Sequence, residues 1–283
     1  MGVPYAEVIG DPIAHSKSPL IHKFWLERMG IDAEYRATRV AAGEIGAFLE
    51  RRRGDADWRG CNVTIPHKTA VLPYLDDSFV DWIGAANCIV QKDSRLIGYN
   101  SDATGVGKAL SIHIDTHAPV CIIGAGGAAR AAVAALDISA VFQFNVVARD
   151  LDKARAVVDA YAEYGRVFAF DEARDAMRGC VGLINASPLG MEGFEPMPVS
   201  VLDSLPLLAR RAFVLDMVYS PPRTELFCRA EAVRRHWFSF GSGFHIADGL
   251  TMLIGQAEGS FHLLYGKAPP VEHRAELREL LTR

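Results

Sequence analysis

A fully apolar stretch followed at once by a glycine-rich loop is the feature that most constrains the fold of this chain. Residues 120–123 (VCII) are all apolar, as is typical of a strand buried on both faces of a parallel sheet. The loop that comes next (GAGGAA) fits the pattern G-x-G-x-x-G/A and leads into an alanine-rich segment, which predicts a helix to about residue 136. Strand, loop and helix together predict a Rossmann-type domain that binds a dinucleotide.

In such a domain the glycines let the backbone approach the pyrophosphate, and the N-terminus of the helix supplies N–H donors. The loop residues expected to contact the cofactor are Gly124, Ala125, Gly126, Gly127 and Ala128. The alternative is a tight turn that uses glycine only for its geometry.

The residues after the next strand bear on the choice between NAD and NADP. An acidic side chain there binds the ribose 2′-hydroxyl of NAD, whereas a basic one accommodates the 2′-phosphate of NADP. Arg149 and Lys153 favour NADP, while Asp150 opposes a phosphate unless it turns away or caps the next helix. We therefore predict NADP as the cofactor, with NAD as the alternative.

Strand and helix signals alternate along the chain, which predicts α/β domains with largely parallel sheets. The length of 283 residues favours two domains over a single core. In the first domain, strands are predicted at residues 5–9, 33–40, 62–65, 88–91 and 95–97, and helices at 19–29 and 42–53. In the second, strands are predicted at residues 120–123, 142–147, 167–170, 181–184 and 213–215, and a further helix at 151–164.

A helical stretch at about residues 247–264 lies beyond the last predicted strand and is expected to return to the first domain. We therefore predict an α/β substrate domain of residues 1–103, completed by residues 243–283, and a nucleotide domain of residues 104–242. The chain is expected to cross between them near Ala103 and Ser242, at element ends, with the active site in the cleft between the domains.

Composition argues against several classes of protein. A net charge of −4 gives no electrostatic reason to expect nucleic acid or an anionic membrane as a partner. The apolar runs are too short to span a bilayer, and no basic segment followed by an apolar one opens the chain. The five cysteines are widely spaced and form no CxxC pair, which indicates reduced thiols and no zinc site. We expect a cytoplasmic protein without a metal, either a monomer or a homodimer.

Residues 62–68 (NVTIPHK) combine a strand end with three kinds of polar group. Asn62 and Thr64 alternate with apolar residues, so a short strand would place both polar side chains on one face. Pro66 should end the strand and suits the first position of a helix, which places Lys68 on the first turn of that helix. An amide, a hydroxyl and an ammonium at a sheet edge are typical of a binding site. The alternative is a surface turn with a solvated lysine.

With the glycine loop and this strand end in place, the chain resembles the shikimate dehydrogenase family almost from end to end. The segments that carry the resemblance stand in the family's order: GDPIAHSKSP at 10–19, NVTIPHK at 62–68, IGAAN at 83–87, GYNSD at 98–102, GAGG at 124–127, INASPLGM at 184–191, DMVY at 216–219, and ADG at 247–249 followed by Gln256. Ser101 replaces the family's usual threonine but keeps the hydroxyl, and residues 148–150 (ARD) replace its common N-R-T. His245, just before the ADG segment, is expected to cap a helix, with a place near the nicotinamide as the alternative.

The resemblance implies roles for particular residues. Lys68 and Asp102 are expected to be catalytic, and Ser16 and Ser18 are expected to bind the substrate carboxylate. Further contacts with the substrate are expected from Asn62, Thr64, Asn87, Tyr219 and Gln256. Besides the glycine loop, the residues expected at the cofactor are Arg149, Asp150, Lys153, Met217 and Gly249.

The reaction implied by the resemblance is the reversible reduction of 3-dehydroshikimate to shikimate by NADPH, on the route through chorismate to the aromatic amino acids. The cofactor supplies hydride, so the protein must bind, orient and manage one proton. Lys68 is the candidate general acid, and its coupling to Asp102 means that the proton is assigned to the pair. The alternatives are a quinate or quinate/shikimate dehydrogenase that uses NAD, and a dinucleotide-sensing binding protein without turnover.

Overall fold

The computed structural model describes residues 2–110, 118–141, 143–161, 165–238 and 243–282. The chain divides into two compact units, Met1–Thr104 with Ile254–Arg283, and Gly105–Leu253. Each unit contains a six-stranded sheet with helices around it. Within the described ranges, no helix combines the length and apolar composition needed to cross a bilayer.

The sheet of the first unit is mixed. Its strands are β1 (Tyr5–Gly10), β2 (Glu34–Arg39), β3 (Trp58–Val63), β4 (Asp77–Ser78), β5 (Cys88–Lys92) and β6 (Arg95–Tyr99), in the spatial order β2-β1-β3-β5-β6-β4. Its helices are α1 (Ser18–Arg28), α2 (Ile45–Arg53) and α10 (Arg274–Thr282), with parts of α3 (Asp102–Ala109) and α9 (Gly249–Tyr265). The core beneath this sheet includes Ile9, Trp25 and Trp58, each almost completely buried.

The sheet of the second unit is parallel throughout. Its strands are β7 (Val120–Ile123), β8 (Phe144–Val147), β9 (Arg166–Phe168), β10 (Gly182–Asn185), β11 (Phe213–Asp216) and β12 (His245–Ala247), in the order β12-β11-β10-β7-β8-β9. Its remaining helices are α4 (Gly127–Ile138), α5 (Leu151–Asp159), α6 (Ala173–Met177), α7 (Val199–Leu202) and α8 (Glu225–Phe238). All four residues of β7 are fully buried, and α4 packs a row of buried alanines, which confirms the predicted strand, loop and helix.

The first sheet differs from the largely parallel sheet that was predicted. Strand β5 pairs antiparallel with both β3 and β6. Asp93 and Ser94 both have positive φ, 52° and 59°, and they form a two-residue turn between β5 and β6. Such turns match the right-handed twist of a hairpin, so this local turn reverses the chain where a βαβ crossover was expected.

The strand before Lys68 also differs from the prediction. β3 begins at Trp58 and ends at Val63, rather than running over residues 62–65. Pro66 does not open a helix, because the next residues form turns in which the His67 N–H donates to the Thr64 carbonyl at 2.9 Å. The first helical turn after this point is a 3₁₀ segment at Leu72–Tyr74, so Lys68 lies in a loop.

The chain passes between the two units after Thr104, close to the predicted Ala103 but within α3, and again after Leu253, within α9, whereas both crossings were expected at element ends. β12 pairs with β11, so residues 245–247 lie in the second sheet, beyond the return at residue 243 that was predicted. The predicted crossing at Ser242 lies outside the described residues, as do the predicted strand start at Phe142 and helix end at Tyr164.

Four of the five cysteines are buried: Cys61 and Cys88 in the first unit, and Cys121 and Cys180 in the second. Burial raises the pKa of each of these thiols, to about 12 for Cys88 and Cys180. Cys228, on α8, is exposed, and none of the five is in a disulfide.

Candidate active site

Asp102 is buried and Lys68 is partly buried, and the two form an ion pair in the first unit. The Lys68 Nζ donates to Asp102 Oδ2 at 2.5 Å, and the two side chains are only 16% and 5% exposed. Lys68 comes from the loop after β3, and Asp102 is the first residue of α3. A paired ammonium and carboxylate at one point can hold and transfer a proton between them.

The Asn87 side chain connects this pair to two further polar residues. Its Nδ2 donates to Asp102 Oδ1 at 2.8 Å and to Ser101 Oγ at 3.0 Å, and Gln256 Oε1 lies 3.4 Å away. Its Oδ1 accepts from the Ser101 N–H at 2.7 Å. Because both ends of the amide are bonded, the orientation of the Asn87 side chain is fixed.

Gln256 reaches the same network from the opposite end of the chain. It lies on α9, and its Oε1 also accepts from Ser101 Oγ at 3.3 Å. A β-carbon on Gly259, one turn further along α9, would lie 3.2 Å from the Ser101 β-carbon. Glycine therefore allows α9 to approach the start of α3 closely, which is a role of Gly259 that no sequence motif indicated.

The predicted substrate residues Ser16, Ser18 and Thr64 follow β1 and β3 in the chain, and Asn62 lies within β3. Because β1 and β3 are parallel neighbours, Ser16 and Ser18 after β1 lie at the same sheet edge as Thr64 after β3. Ser16 Oγ accepts from the Ser18 N–H at 3.3 Å, and Thr64 donates its backbone N–H to the Ile9 carbonyl at 2.9 Å. Within the part of the chain that the structure describes, these hydroxyls make no hydrogen bond to the ion pair at Asp102. Asn62, buried in β3, is bonded to the network through the Asn87 carbonyl at 3.3 Å.

The glycine loop of the second unit has the geometry of a backbone anion site. Gly124 has a φ of +107°, and a β-carbon there would lie 3.0 Å from the Ser187 side chain, so other residues would be strained. Gly126 precedes the first residue of α4, and a β-carbon on it would meet no atom within 4 Å. Open space beside the N-terminus of α4 fits the pyrophosphate of a dinucleotide. Ala125, Gly127 and Ala128 flank this point.

Asp150 caps helix α5. Its Oδ1 accepts from the Lys153 N–H at 3.0 Å, and its Oδ2 lies 3.0 Å from the Lys153 Nζ. These hydrogen bonds from Lys153 lower the pKa of Asp150 below its usual value. Arg149 points elsewhere, in an ion pair with Glu195. The sequence left open whether Asp150 faces a phosphate or caps the next helix, and in the structure it caps α5.

A second buried polar cluster supports the loop after β11. Asp216 accepts hydrogen bonds from Asn185 Nδ2 at 2.9 Å, from the Val218 N–H at 3.1 Å and from the Thr224 hydroxyl. Burial raises the pKa of Asp216 above its usual value. Met217 and the half-buried Tyr219 belong to the loop that these bonds hold. The sequence marks this segment as a motif but does not reveal the structural role of its aspartate.

Gly249 lies directly against the same loop. A β-carbon on Gly249 would lie 2.7 Å from the Met217 carbonyl oxygen and closer still to that of Val218. The Asp248 carboxylate caps α9 by accepting from the Thr251 N–H at 2.9 Å. His245 was expected to cap a helix, which is wrong, because it begins β12 and its backbone N–H donates to the Ala212 carbonyl at 3.0 Å.

The structure thus groups the predicted residues in two sets. Lys68, Asp102, Asn87, Gln256 and Asn62 are linked by hydrogen bonds in the first unit, with the hydroxyls of residues 16, 18 and 64 at the same sheet. The second set belongs to the second unit and consists of the glycine loop, residues 149–153, the segment 217–219 and Gly249, the first residue of α9. No group of three His, Cys, Asp or Glu suited to a metal ion occurs among the described residues. A proton-handling pair and a nucleotide loop are the components of an NAD(P)-dependent oxidoreductase.

Comparison with known proteins agrees with this class. A family model described as the shikimate dehydrogenase substrate binding domain matches residues 8–89. A protein of Sphingopyxis alaskensis named shikimate dehydrogenase (NADP(+)) is 45% identical over 98% of this chain and 97% of its own length. The chain belongs to the shikimate dehydrogenase family.

Solved structures show the same fold. Shikimate 5-dehydrogenase of Thermus thermophilus, in complex with NADP(H) and shikimate, is 30% identical with a TM-score of 0.79, covering 98% of this chain and 99% of that one. Quinate dehydrogenase of Corynebacterium glutamicum, in complex with NAD, is 26% identical with a TM-score of 0.83, covering 98% and 99%. The fold is therefore shared by enzymes whose names differ in substrate and cofactor.

Proposed function

We propose that this protein catalyses the reversible, NADPH-dependent reduction of 3-dehydroshikimate to shikimate. The observation that carries the proposal is the hydrogen-bonded network of Lys68, Asp102, Asn87 and Gln256, which combines a proton-handling pair with amides suited to a ring bearing several hydroxyls. The high identity to the Sphingopyxis relative, named as an NADP(+) enzyme, supports both substrate and cofactor. The reaction lies on the route through chorismate to the aromatic amino acids.

The residues of the second unit fit NADP. The open space at Gly126 and the N–H groups at the start of α4 suit a pyrophosphate, and Arg149 with Lys153 supplies positive charge for a 2′-phosphate. Asp150 is bonded to Lys153 as a helix cap, so it offers less repulsion to a phosphate than an unpaired carboxylate would. Met217 and Gly249 form an adjoining backbone surface for the nicotinamide end. When bound, the cofactor supplies the hydride.

The part of the reaction carried out by the protein's own side chains is the transfer of one proton to or from the substrate oxygen. As the ketone becomes an alkoxide, the Lys68 ammonium donates a proton to the oxygen, and in the reverse direction the neutral amine accepts it. Asp102 holds the Lys68 Nζ in place, and Asn87 holds Asp102.

Substrate recognition is divided between amides and hydroxyls. Asn62, Asn87 and Gln256 bond the ring hydroxyls, and Ser16, Ser18 and Thr64 receive the carboxylate at the edge of the first sheet. The resemblance implies a further substrate contact from Tyr219, in the loop after β11. A site built to bond hydroxyls rejects analogues that lack them by about 10⁴-fold, because its own polar groups would be left unpaired.

The test is to measure kcat/KM for shikimate and for quinate, each with NADP and with NAD. We expect shikimate with NADP to give the highest value. A higher value for quinate with NAD would contradict the proposal and indicate a quinate dehydrogenase. The Corynebacterium quinate dehydrogenase has the same fold. Tight binding of NADPH without turnover of either substrate would indicate the sensing protein instead.

One further proposal concerns the location of the enzyme, and one experiment concerns its oligomeric state. The five unpaired cysteines suit a reducing compartment, which supports the cytoplasmic location that was predicted. Monomer and homodimer are distinguished by sedimentation equilibrium at the concentration used for the assays.

A further inference from the structure

The side chain of Asn62 is held by a tyrosine that no sequence motif includes. The Tyr35 hydroxyl donates to Asn62 Oδ1 at 2.6 Å, and both residues are buried. Asn62 Nδ2 faces the Asn87 carbonyl at 3.3 Å. A carbonyl only accepts, so the NH₂ group must face it, and Oδ1 must then face Tyr35 as the acceptor.

We propose that Tyr35 is a positioning residue that sets the orientation of the Asn62 amide for binding a substrate hydroxyl. The inference rests on the proposed function, which places Asn62 at the substrate. With Oδ1 bonded to Tyr35 and one N–H bonded to Asn87, Asn62 retains one N–H to donate to the substrate. Without Tyr35, the amide would be held only through its Nδ2, by the Asn87 carbonyl.

The register of the first sheet explains how Tyr35 reaches Asn62. Tyr35 on β2 is paired with Ala6 on β1, and Asn62 on β3 is paired with Val8, two residues further along β1. Residues in register on parallel strands lie on the same face, as do residues two apart on one strand. The side chain of Tyr35 therefore extends over β1 on the face that carries Asn62. It passes the small side chain of Ala6, with which Tyr35 is in register.

The ring of Tyr35 is also held by packing against helix α1. His22 on α1 stacks on it with ring centroids 3.9 Å apart and an angle of 14° between the planes. Phe261, on the helix that carries Gln256, lies 5.7 Å from the same imidazole. Neither ring nitrogen of His22 has a hydrogen-bond partner among the described residues, so the imidazole serves as a flat packing surface.

The chemistry of the hydroxyl suits a permanent donor. Burial raises the pKa of Tyr35 well above its usual value, so the phenol keeps its proton at any pH at which the enzyme is assayed. The direction of the hydrogen bond to Asn62 is therefore constant.

The test removes the Tyr35 hydroxyl and keeps its ring. Tyr35→Phe should raise KM for shikimate about tenfold with a smaller change in kcat, and should leave KM for NADPH unchanged, because it deprives one buried amide of its partner. The same loss should disappear in an Asn62→Ala background, since Tyr35 acts through Asn62. Additive losses in the double variant, or an unchanged KM for shikimate in Tyr35→Phe, would overturn the proposal.

The matched control is Tyr5→Phe in the same sheet. The Tyr5 hydroxyl also donates at 2.6 Å, to Asp55, and the residue is similarly buried. Tyr5→Phe should lower the free energy of unfolding but keep both KM values. An equal rise in KM for shikimate in both variants would show that loss of stability is the cause, and the proposal would fail.

Direct titration of shikimate into each protein distinguishes a failure of the proposed function from a failure of the role of Tyr35 alone. If the wild-type protein neither binds nor turns over shikimate, the proposed function fails. If the wild type binds shikimate and Tyr35→Phe binds it equally well, only the role of Tyr35 fails.

Discussion

In the first unit the candidate site consists of buried side chains bonded to one another, whereas in the second it consists of backbone and exposed cations. The amides and carboxylate of the substrate network are at most 7% exposed: Asn62, Asn87, Asp102 and Gln256. The side chains of Arg149 and Lys153 are 72% and 74% exposed. An exposed ion pair contributes about 0–1 kcal/mol, but a buried polar group that loses its partner costs about 1–3 kcal/mol. Changes of side chain should therefore cost more in the first unit.

The largest effect is expected at Lys68. Lys68→Ala should lower kcat for shikimate oxidation by about 10²–10⁴-fold with little change in KM, because the ammonium acts mainly in the transition state. Lys23→Ala is the control, since the Lys23 side chain is 73% exposed and distant in sequence from the network. A large rise in KM at unchanged kcat would show that Lys68 only binds substrate.

The burial of the first unit should also make it sensitive to acid through His22. Burial lowers the pKa of His22 to about 3. Between pH 6.5 and about 3, His22 is therefore protonated in the unfolded chain but neutral in the folded one, which favours unfolding. This contribution to stability is present above pH 6.5 and is lost as the pH falls towards 3. Between pH 7 and pH 5 the loss should be about 2 kcal/mol larger in the wild type than in His22→Phe, measured by urea unfolding. Equal losses in the two proteins would contradict the prediction.

In the second unit the largest effect should come from a substitution at a glycine beside the expected cofactor site. Gly126 has φ −90° and ψ −171°, which alanine adopts readily, and its β-carbon would meet no protein atom. Gly126→Ala should therefore keep the thermal stability but raise KM for NADPH roughly tenfold, about 1.4 kcal/mol, by filling the space of the pyrophosphate. Gly54→Ala, with φ −93° and equally open surroundings, is the control. An unchanged KM would place the pyrophosphate away from this loop.

The exposed charges should alter cofactor preference by smaller factors. Arg149→Ala should lower the ratio of kcat/KM for NADP over NAD about five- to tenfold, because one exposed cation facing the 2′-phosphate is removed. Asp150→Asn keeps the oxygen that caps α5 and should raise the same ratio a fewfold. If neither variant changes the ratio, cofactor choice is determined elsewhere.

The smallest effect is expected at Glu195. Its carboxylate pairs with Arg149, so a 2′-phosphate must compete with it for the guanidinium. Glu195→Gln should raise the NADP over NAD ratio about two- to threefold, since the pair is exposed and contributes less than about 1 kcal/mol. A ratio that falls would show that Glu195 positions Arg149 for the cofactor.

The sequence was most informative where the structure depends on neighbouring residues. The strand β7 and the loop after it were predicted because an apolar run, a glycine pattern and an alanine-rich helix are local signals. The direction of β5 was predicted wrongly, because pairing depends on a two-residue turn at Asp93 and on contacts between distant strands. The cap at Asp150 was one of two alternatives, and the spacing of three residues to Lys153 fits it.

In the candidate site, too, contacts between residues distant in sequence were the hardest to predict. Lys68 and Asp102 were predicted as a pair from the resemblance of two motifs, although they are 34 residues apart. Tyr35 was missed because it lies in the polar strand β2, outside every motif, and it acts across a neighbouring strand. Its one sequence signal was a large aromatic between charged residues, and it is the single buried residue of that strand.

Because most of the thiols are buried, the rate at which a reagent modifies them measures how often each unit unfolds locally. Two buried cysteines lie in each unit, and Cys228 alone is exposed, so a thiol reagent should modify one sulfur in the native state and five after unfolding. The slow modifications at Cys61 and Cys88 would follow opening of the first unit, and those at Cys121 and Cys180 opening of the second. Peptide mapping of a labelling time course would then compare the local stabilities of the two units in the unaltered enzyme.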